Sequence, residues 1–355
     1  MNEKKKKVSI YDIAAVLGVS GSTVSRALQN HPAISEKVRE QVRKTAREMN
    51  YKPNALAVNL KRGYSKTIGV VVPYINRNFF SSAIEGIEEV ANRMGYDVLI
   101  CQSNELYEKE QKILHSLSQG KVDGVIASIA YGTRDYSHYN NLAEDRIPLV
   151  LFDRVSDEVK AGMVRGNDYQ GAYRVVRYLL STGRKRIFHC AGFQHVSVWR
   201  DRYRGYWDAL QAYGITPEAD WVRIGGVTRD AGVAFAREIL QGKALPDAVF
   251  VASDFVALGI LLELMRNGVK VPEEVAIFGY ANESFDELIT PSLSSVDQFS
   301  KQMGQAAARM LIGKLNGEHP EDVLIEPELI LRDSTRAQGS DFSMNLTDIT
   351  HEGKL

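Results

Sequence analysis

Residues 10–28, Ile10-Tyr-Asp-Ile-Ala-Ala-Val-Leu-Gly-Val-Ser-Gly-Ser-Thr-Val-Ser-Arg-Ala-Leu28, decide how the chain is read. At helical period, Ile10, Ile13, Ala14 and Leu17 fall on one side of a first short helix, and Val24, Ala27 and Leu28 on one side of a second. Between them, Gly18-Val19-Ser20 supplies a glycine able to take positive φ, an apolar plug and a serine placed to cap the next helix. Ser9-x-x-Asp12 has capping-box spacing, with Asp where Glu or Gln is usual. Two short helices joined by such a turn form a helix-turn-helix, which lays its second helix in the DNA major groove. The outer side of that helix carries Gly21, Ser22, Thr23, Ser25 and Arg26. These are small hydroxyl residues with one arginine able to fork onto guanine O6 and N7. A plain helical hairpin packed into a larger core would require neither the cap nor the polar face.

The chain has 355 residues, enough for two or three domains, and its 44% hydrophobic and 25% charged content is that of a globular protein. A formal net charge of zero conceals a split. Residues 1–64 hold 13 Lys+Arg against 5 Asp+Glu, and the remainder holds 31 against 39. Only the basic head is suited to a polyanion. Cys101 and Cys190, the two cysteines, sit in separate apolar runs. They read as buried thiols in a reducing compartment. Lys4–Lys7 has the look of an export signal, but Asp12 interrupts the apolar run after it and no small-residue cleavage site follows. No apolar run is long enough to span a bilayer, so the expected compartment is the cytoplasm, with no membrane partner.

After the helix-turn-helix, Ser35 is placed to cap a helix reaching Met49, with Val38, Val42, Thr45, Ala46 and Met49 inside. Lys37, Arg39, Arg43, Lys44 and Arg47 lie mostly outside, within reach of phosphates. In residues 51–63, Pro53 fits a first helical turn and Gly63 a stop. That leaves about nine residues, and isolated helices below about 12–15 are marginal in water. From Thr67, short apolar strands alternate with amphipathic helices. Strands are expected at Thr67–Pro73, Asp97–Gln102, Asp123–Ala127, Pro148–Phe152, Ile187–Cys190, Trp221–Ile224, Ala248–Ala252 and Val275–Phe278. Helices are expected at Ser81–Met94, Glu108–Gln119, Gln170–Thr182, Trp199–Ala212, Asp230–Leu240, Val256–Asn267 and Lys301–Leu315. The fold class is therefore an all-α headpiece followed by an α/β body of parallel sheets with helices on both faces, too many units for one sheet and so two-lobed. The expected domains are a headpiece over 1–51, a hinge helix and linker over 52–66, a two-lobed effector-binding and dimerisation domain over 67–336, and a disordered polar tail over 337–355.

Ligands of parallel sheets bind outside the carboxyl ends of the strands. The residues just past those ends include Phe79, Phe80, Asp153, Arg154, the stretch Gly192 to Arg202, Asp254 and Gly279-Tyr-Ala-Asn282-Glu283. Rings with fixed Asp, Asn and Arg suit a polyhydroxylated ligand such as a sugar. Alternatives stand beside this. Asp153 and Asp254 could merely cap turns, one of Phe79 and Phe80 could be core, and Trp199 could be pocket wall or surface. Catalysis has little support. No GxGxxG, Walker loop, HExxH, CxxC or GxSxG is present, and the seven histidines form no ligand-spaced pair, so no catalytic residue, cofactor or metal site is expected.

Together these motifs resemble the lac/galactose-repressor family of bacterial transcription regulators, from about Val8 to Ser334. The carrying residues are Ile10-Tyr-Asp-Ile-Ala, Gly18-Val-Ser, Ser22-Thr-Val-Ser-Arg26, Tyr51-Lys-Pro-Asn54-Ala, Ile68-Gly-Val-Val-Val-Pro73, Phe79-Phe80, Val122-Asp-Gly-Val125, Asp153-Arg154 and Gly279-Tyr280 with Thr290-Pro291-Ser-Leu293. The resemblance implies a homodimer on a palindromic operator in double-stranded DNA. Gly21, Ser22 and Arg26 would face bases, and Ser9, Ser20, Thr23 and Ser25 phosphates. Leu60 of the hinge helix would wedge into the minor groove, lined also by Asn54, Ala57 and Lys61. It further implies a body whose lobes close on a small effector, a sugar or sugar derivative, at Phe79, Phe80, Asp153, Arg154, Val198, Arg202, Val227, Asp254, Ala281 and Asn282. Well-known members place Asp at the position of Ala281, an aromatic at Val227 and polar side chains at Val198, so no particular relative's effector carries over. Two rivals remain: a two-lobed solute-binding component, disfavoured by the basic head, and an α/β enzyme, disfavoured by the missing catalytic groups.

Overall fold

In the computed structural model the described residues are 8–51 and 64–336. The chain divides into two compact units, one ending at Ser65 and the other beginning at Lys66.

The first unit is built from α1 (Ile10–Leu17), α2 (Gly21–Leu28) and α3 (Glu36–Glu48). Ser9 and Asp12 make the reciprocal capping box, the Asp12 carboxylate accepting the Ser9 N–H at 2.7 Å. Gly18 ends α1 in the left-handed region at φ 65°, a conformation that costs glycine nothing. Ser20 then caps α2 by accepting the Thr23 N–H at 3.2 Å. Ile13, Ala14, Val24, Ala27, Val42 and Ala46 are buried at the centre, with Ile10, Leu17, Val19, Leu28, Val38 and Met49 packed around them.

The second unit has two lobes. The first runs β1 (Thr67–Val72), α4 (Asn78–Arg93), β2 (Asp97–Gln102), α5 (Tyr107–Gln119), β3 (Gly124–Ala127), α6 (Ser137–Glu144), β4 (Leu149–Phe152) and β5 (Gly162–Gly166). The second runs α7 (Asp168–Ser181), β6 (Ile187–Cys190), α8 (Ser197–Ala212), β7 (Val222–Arg223), α9 (Arg229–Gln241), β8 (Ala248–Val251), α10 (Asp254–Arg266), β9 (Ala276–Phe278) and β10 (Ser295–Asp297). The chain returns to the first lobe with α11 (Ser300–Leu315) and β11 (Val323–Ile325), then to the second with β12 (Glu328–Ile330). Three crossovers thus join the lobes.

The first sheet has the order β11-β5-β4-β3-β1-β2 and the second β7-β6-β8-β9; every pairing in both is parallel. A separate antiparallel pair, β10 with β12, flanks the second. Alternation along β1 sends Ile68, Val70 and Val72 to one core, shared with α4 and α11, and Val71 to the other, with Leu114 and Leu151. In the second lobe Phe250 and Phe278 pack under α7 and α8, while Val249, Val251 and Ile277 pack under α9 and α10.

The expected helices start late. Asn78 and Asp254, not Ser81 and Val256, open α4 and α10. Their first turns carry residues that serve the cleft and not the helix's own apolar stripe. The elements α6, β5, β10, β11 and β12 were not foreseen. Strand β5 is Gly-Met-Val-Arg-Gly, and a Cβ on Gly162 would lie 2.5 Å from Met310 Sδ, so its lack of side chain reflects the closeness of α11. Cys190 is buried, but Cys101, on edge strand β2, is only half-buried, because among the described residues no strand pairs with the outer side of β2. Among the described residues no helix is long and apolar enough to cross a membrane. Asn54, Ala57, Leu60 and Lys61, and the tail from 337, lie outside the described residues.

Candidate functional site

On the head, Ser22 and Arg26 are exposed on α2, and Thr23 and Ser25 are half-buried beside them. Gly21 is shaped by a neighbour that the pattern did not single out. A Cβ there would stand 3.0 and 3.1 Å from ring carbons of Tyr11. That ring is 73% exposed, so an exposed phenol joins the polar face of α2. The hydroxyls of Ser9 and Ser20 are already engaged as caps, Ser9 Oγ donating to Asp12 at 2.7 Å and Ser20 Oγ lying 2.7 Å from Ser22 Oγ. Within α3, Arg39 is tied to Glu36 at 3.1 Å and donates to the Ile34 carbonyl at 2.9 Å. Arg43 reaches Glu36 and Asn30.

In the body, a cavity of about 180 Å³ opens between the lobes, walled by residues that follow strand carboxyl ends in both sheets. From the first lobe come Tyr74, Arg77, Phe79 and Phe80 after β1, Glu105 after β2, Tyr131 after β3, and Asp153 and Arg154 after β4. From the second come Phe193, Val198, Trp199 and Arg202 after β6, Val227 and Thr228 after β7, Ala252, Ser253 and Phe255 after β8, and Tyr280, Ala281 and Glu283 after β9. Gln298, on a crossover, completes it. The Tyr131 ring stands 5.2 Å from Phe193 and 6.3 Å from Trp199, so one wall is aromatic and spans the cleft. Val198, Val227 and Ala252 pack with those rings and leave the second-lobe side apolar. Phe79 and Phe80, stacked edge to face at 5.1 Å, are core and cavity wall at once.

The charges are held by partners. Arg154 bonds both Glu105 oxygens at 2.8 Å while its guanidinium carbon lies 4.9 Å from the centroid of the Trp199 ring. Glu105 also accepts the Tyr131 N–H at 2.7 Å. Arg202 is buried over the Tyr280 ring, at 3.6 Å, and donates to Asp168, to the Ala252 carbonyl and to Gln298, at 2.7, 2.8 and 2.8 Å. It therefore ties two crossovers to the end of β8 as well as facing the cavity. Burial pushes the Asp153 carboxyl up to about 6, against the pull of Arg154. Ser128 donates to it at 3.3 Å.

Two expected cavity residues stand elsewhere. Asp254 is wholly buried behind the wall, where Ser295 Oγ donates to it at 2.9 Å and the Glu283 N–H at 3.2 Å. It organises the loop after β9 and does not line the cavity. Asn282 turns away to accept from Arg332 at 2.7 Å and donate to Asp297 at 3.2 Å, lining a neighbouring pocket. Sequence reading missed Glu105, Tyr131 and Gln298, which come from connections with no periodic signal, and Phe255, in the first turn of α10. The rule of strand carboxyl ends, applied to β2 and β3 as well, could have found Glu105 and Tyr131.

Contacts also close the cleft. His195 donates from Nε2 to the Tyr131 carbonyl at 2.7 Å, and Val155 N–H donates to Ser197 Oγ at 3.2 Å. Arg77 lies 3.6 Å over the Phe255 ring. Among the described residues no grouping of His, Cys, Asp and Glu could hold a metal ion.

Residues 9–54 match the lacI family of bacterial regulatory proteins, and residues 176–335 a periplasmic binding protein-like domain. The HTH-type transcriptional repressor CytR of Escherichia coli strain K12 is 34% identical over 343 residues, covering 95% of this chain and 99% of that one. Among solved structures, the lac repressor dimer bound to operator and the anti-inducer ONPF aligns with a TM-score of 0.82 at 26% identity, over 94% of this chain and 100% of the other. The transcriptional regulator CelR in complex with cellobiose aligns with a TM-score of 0.70 at 29% identity, over 92% and 100%. A helix-turn-helix head carried with a two-lobed binding body defines a DNA-binding transcriptional regulator under small-molecule control, not an enzyme. The chain belongs to the lacI family of bacterial regulatory proteins.

Proposed function

We propose that the chain is a sequence-specific repressor, acting as a homodimer on a palindromic operator, whose affinity is set by a sugar or sugar derivative held between the lobes. The observation that carries this is the cavity itself, walled by strand ends of both sheets, in a chain that also bears an exposed polar recognition face on α2. Gly21, Ser22 and Arg26 would face bases. Ser20, Thr23 and Ser25 would approach phosphates with their hydroxyls, and Ser9 by turning away the O–H it gives Asp12. The effector would lie against Phe79, Phe80, Asp153, Arg154, Val198, Arg202, Val227 and Ala281. The cellobiose complex of a similar regulator supports the carbohydrate class. For the dimer, support comes from β2, an edge strand with Leu99 and Ile100 47% and 44% exposed on opposite faces. An uncovered apolar edge of this kind pairs with another chain unless it is blocked.

A gel shift with duplexes selected from random sequence tests the reading. The expected result is a two-fold-symmetric consensus bound by a dimer and altered at least tenfold by a carbohydrate such as cellobiose or ribose. Binding without sequence preference, or with a non-palindromic consensus, would contradict it.

A further inference from the structure

Arg154 lies between two carboxylates and hydrogen-bonds only one of them. Its Nη1 donates to both oxygens of Glu105 at 2.8 Å, while Asp153 Oδ2 stands 3.8 Å from its Nε. All three side chains are buried, Glu105 most deeply at 3% exposed. Held this way, the guanidinium carbon lies 5.8 Å from the centroid of the Phe80 ring in the first lobe and 4.9 Å from that of Trp199 in the second. Glu105 has a second arm. Its Oε2 accepts the Tyr131 N–H at 2.7 Å, and the Tyr131 ring meets Phe193 and Trp199 across the cleft. One carboxylate thus aligns two first-lobe side chains that face Trp199. Asp153 is left with an open acceptor. Ser128 donates to Oδ2, but Oδ1 meets no donor among the described residues, and the residue walls the cavity. The backbone at both carboxylates is held in the left-handed region, with φ 63° at Glu105 and 60° at Asp153. Residues other than glycine stay there only when their surroundings constrain them.

We propose that Glu105 is a positioning residue for effector recognition: by holding the Arg154 guanidinium it seats that group on Trp199 and keeps it off Asp153, whose free oxygen then serves the ligand. This rests on the cavity being the effector site. Two carboxylates compete here for one cation. A guanidinium donates in a planar fork and binds whichever carboxylate is placed for it. With the charge of Glu105 removed, Asp153 is the anion that Arg154 meets next. Arg154 then shifts from Trp199 towards Asp153 and occupies the acceptor the ligand needs. Glu105→Gln isolates this arm. The amide oxygen still accepts the Tyr131 N–H, but the amide nitrogen cannot accept from Arg154.

The test uses the full chain carrying Trp207→Phe and Trp221→Phe, which leaves Trp199 as its single tryptophan. Glu105→Gln is expected to move Trp199 emission at least halfway to that of Glu105→Gln/Arg154→Met, where the cation is gone and no buried charge is stranded. Gly304→Ala, which crowds α11 against α4 outside the cavity wall, should leave the emission unmoved, and this separates repositioning from lost stability. Calorimetric titration with ribose and with cellobiose gives the second readout. For whichever sugar binds, Glu105→Gln should weaken binding at least tenfold. Asp153→Asn should cost at least tenfold in the presence of Glu105 but less than threefold in Glu105→Gln, because Arg154 already holds that carboxylate. Trp199 emission unchanged in Glu105→Gln, or equal losses from Asp153→Asn in the two backgrounds, would overturn the inference. If neither sugar binds, the carbohydrate reading falls, and the emission of Trp199 still decides this one.

Discussion

At the scale of single residues the body is organised by buried charges, and each has a price in stability when its partner goes. Arg202→Ala would strand Asp168, whose carboxyl is already raised by burial and held down by Arg202. Breaking such a pair costs about 3–5 kcal/mol, so urea unfolding of the body should show a loss of that order. A loss below about 1 kcal/mol would contradict the clamp. Asp286 behaves oppositely. Neither of its oxygens meets a donor among the described residues, and burial and Asp254 push its carboxyl up to about 10. It therefore keeps a proton and shares it with Asp254. A folded pKa above the unfolded value gives stability that is full at low pH and is lost as pH rises towards the folded value. Asp286→Asn, which retains a donor but does not titrate, should gain stability over the wild type progressively from pH 5 to pH 9 in urea unfolding, by more than about 1 kcal/mol at the upper end. A constant difference across that range would contradict shared protonation. On the head, Arg26→Ala should lower operator preference by about 1–3 kcal/mol while weakening random duplex less; equal losses on both would remove Arg26 from base readout. The head's residues were legible because cap, turn and periodic face all lie within twenty positions. Glu105 and Arg154 were not linked, since the pairing joins loops 49 residues apart.

Helices and strands repeat one device. Gly86 of α4 and Gly304 of α11 face each other's backbones, such that a Cβ on either would lie 2.2 Å from the Lys301 carbonyl or 2.0 Å from that of Ala83. Gly232 and Gly259 do the same between α9 and α10, each at 2.1 Å. Both helix pairs are therefore packed backbone against backbone. Overpacking at such contacts costs about 1–3 kcal/mol, and Gly304→Ala should fall at or above that range by chemical denaturation, since backbone cannot yield as a side chain would. Near-neutral Gly304→Ala would show the helices free to move apart. Central strands were readable from the sequence as apolar runs, because both their faces are covered. The edge and crossover strands β5, β10, β11 and β12 were not, being short and defined by the chain they return beside. For the connector, the sequence expectation is that Leu60→Ala removes the operator bend; an unchanged bend in a circular-permutation gel would count against the wedge.

Across the whole molecule, a basic head and an acidic body divide the labour. Operator affinity should fall steeply with salt, since the phosphate contacts release counterions, while ligand affinity of the uncomplexed protein should hardly change. The lobes meet through His195, Asn78 and Arg77 around the cavity, so a ligand filling it favours one arrangement of the lobes over others by whatever differential affinity it has. A tenfold change in operator binding needs about 1.4 kcal/mol of that difference, and a complete switch about 5.5 kcal/mol. The most direct test is fluorescence anisotropy of labelled operator titrated with wild type and with Val198→Trp, which fills the cavity, each with and without the ligand that stabilises the wild type. Ligand is expected to change wild-type operator affinity at least tenfold and to leave Val198→Trp unmoved. Ligand control that persists with the cavity filled would contradict it.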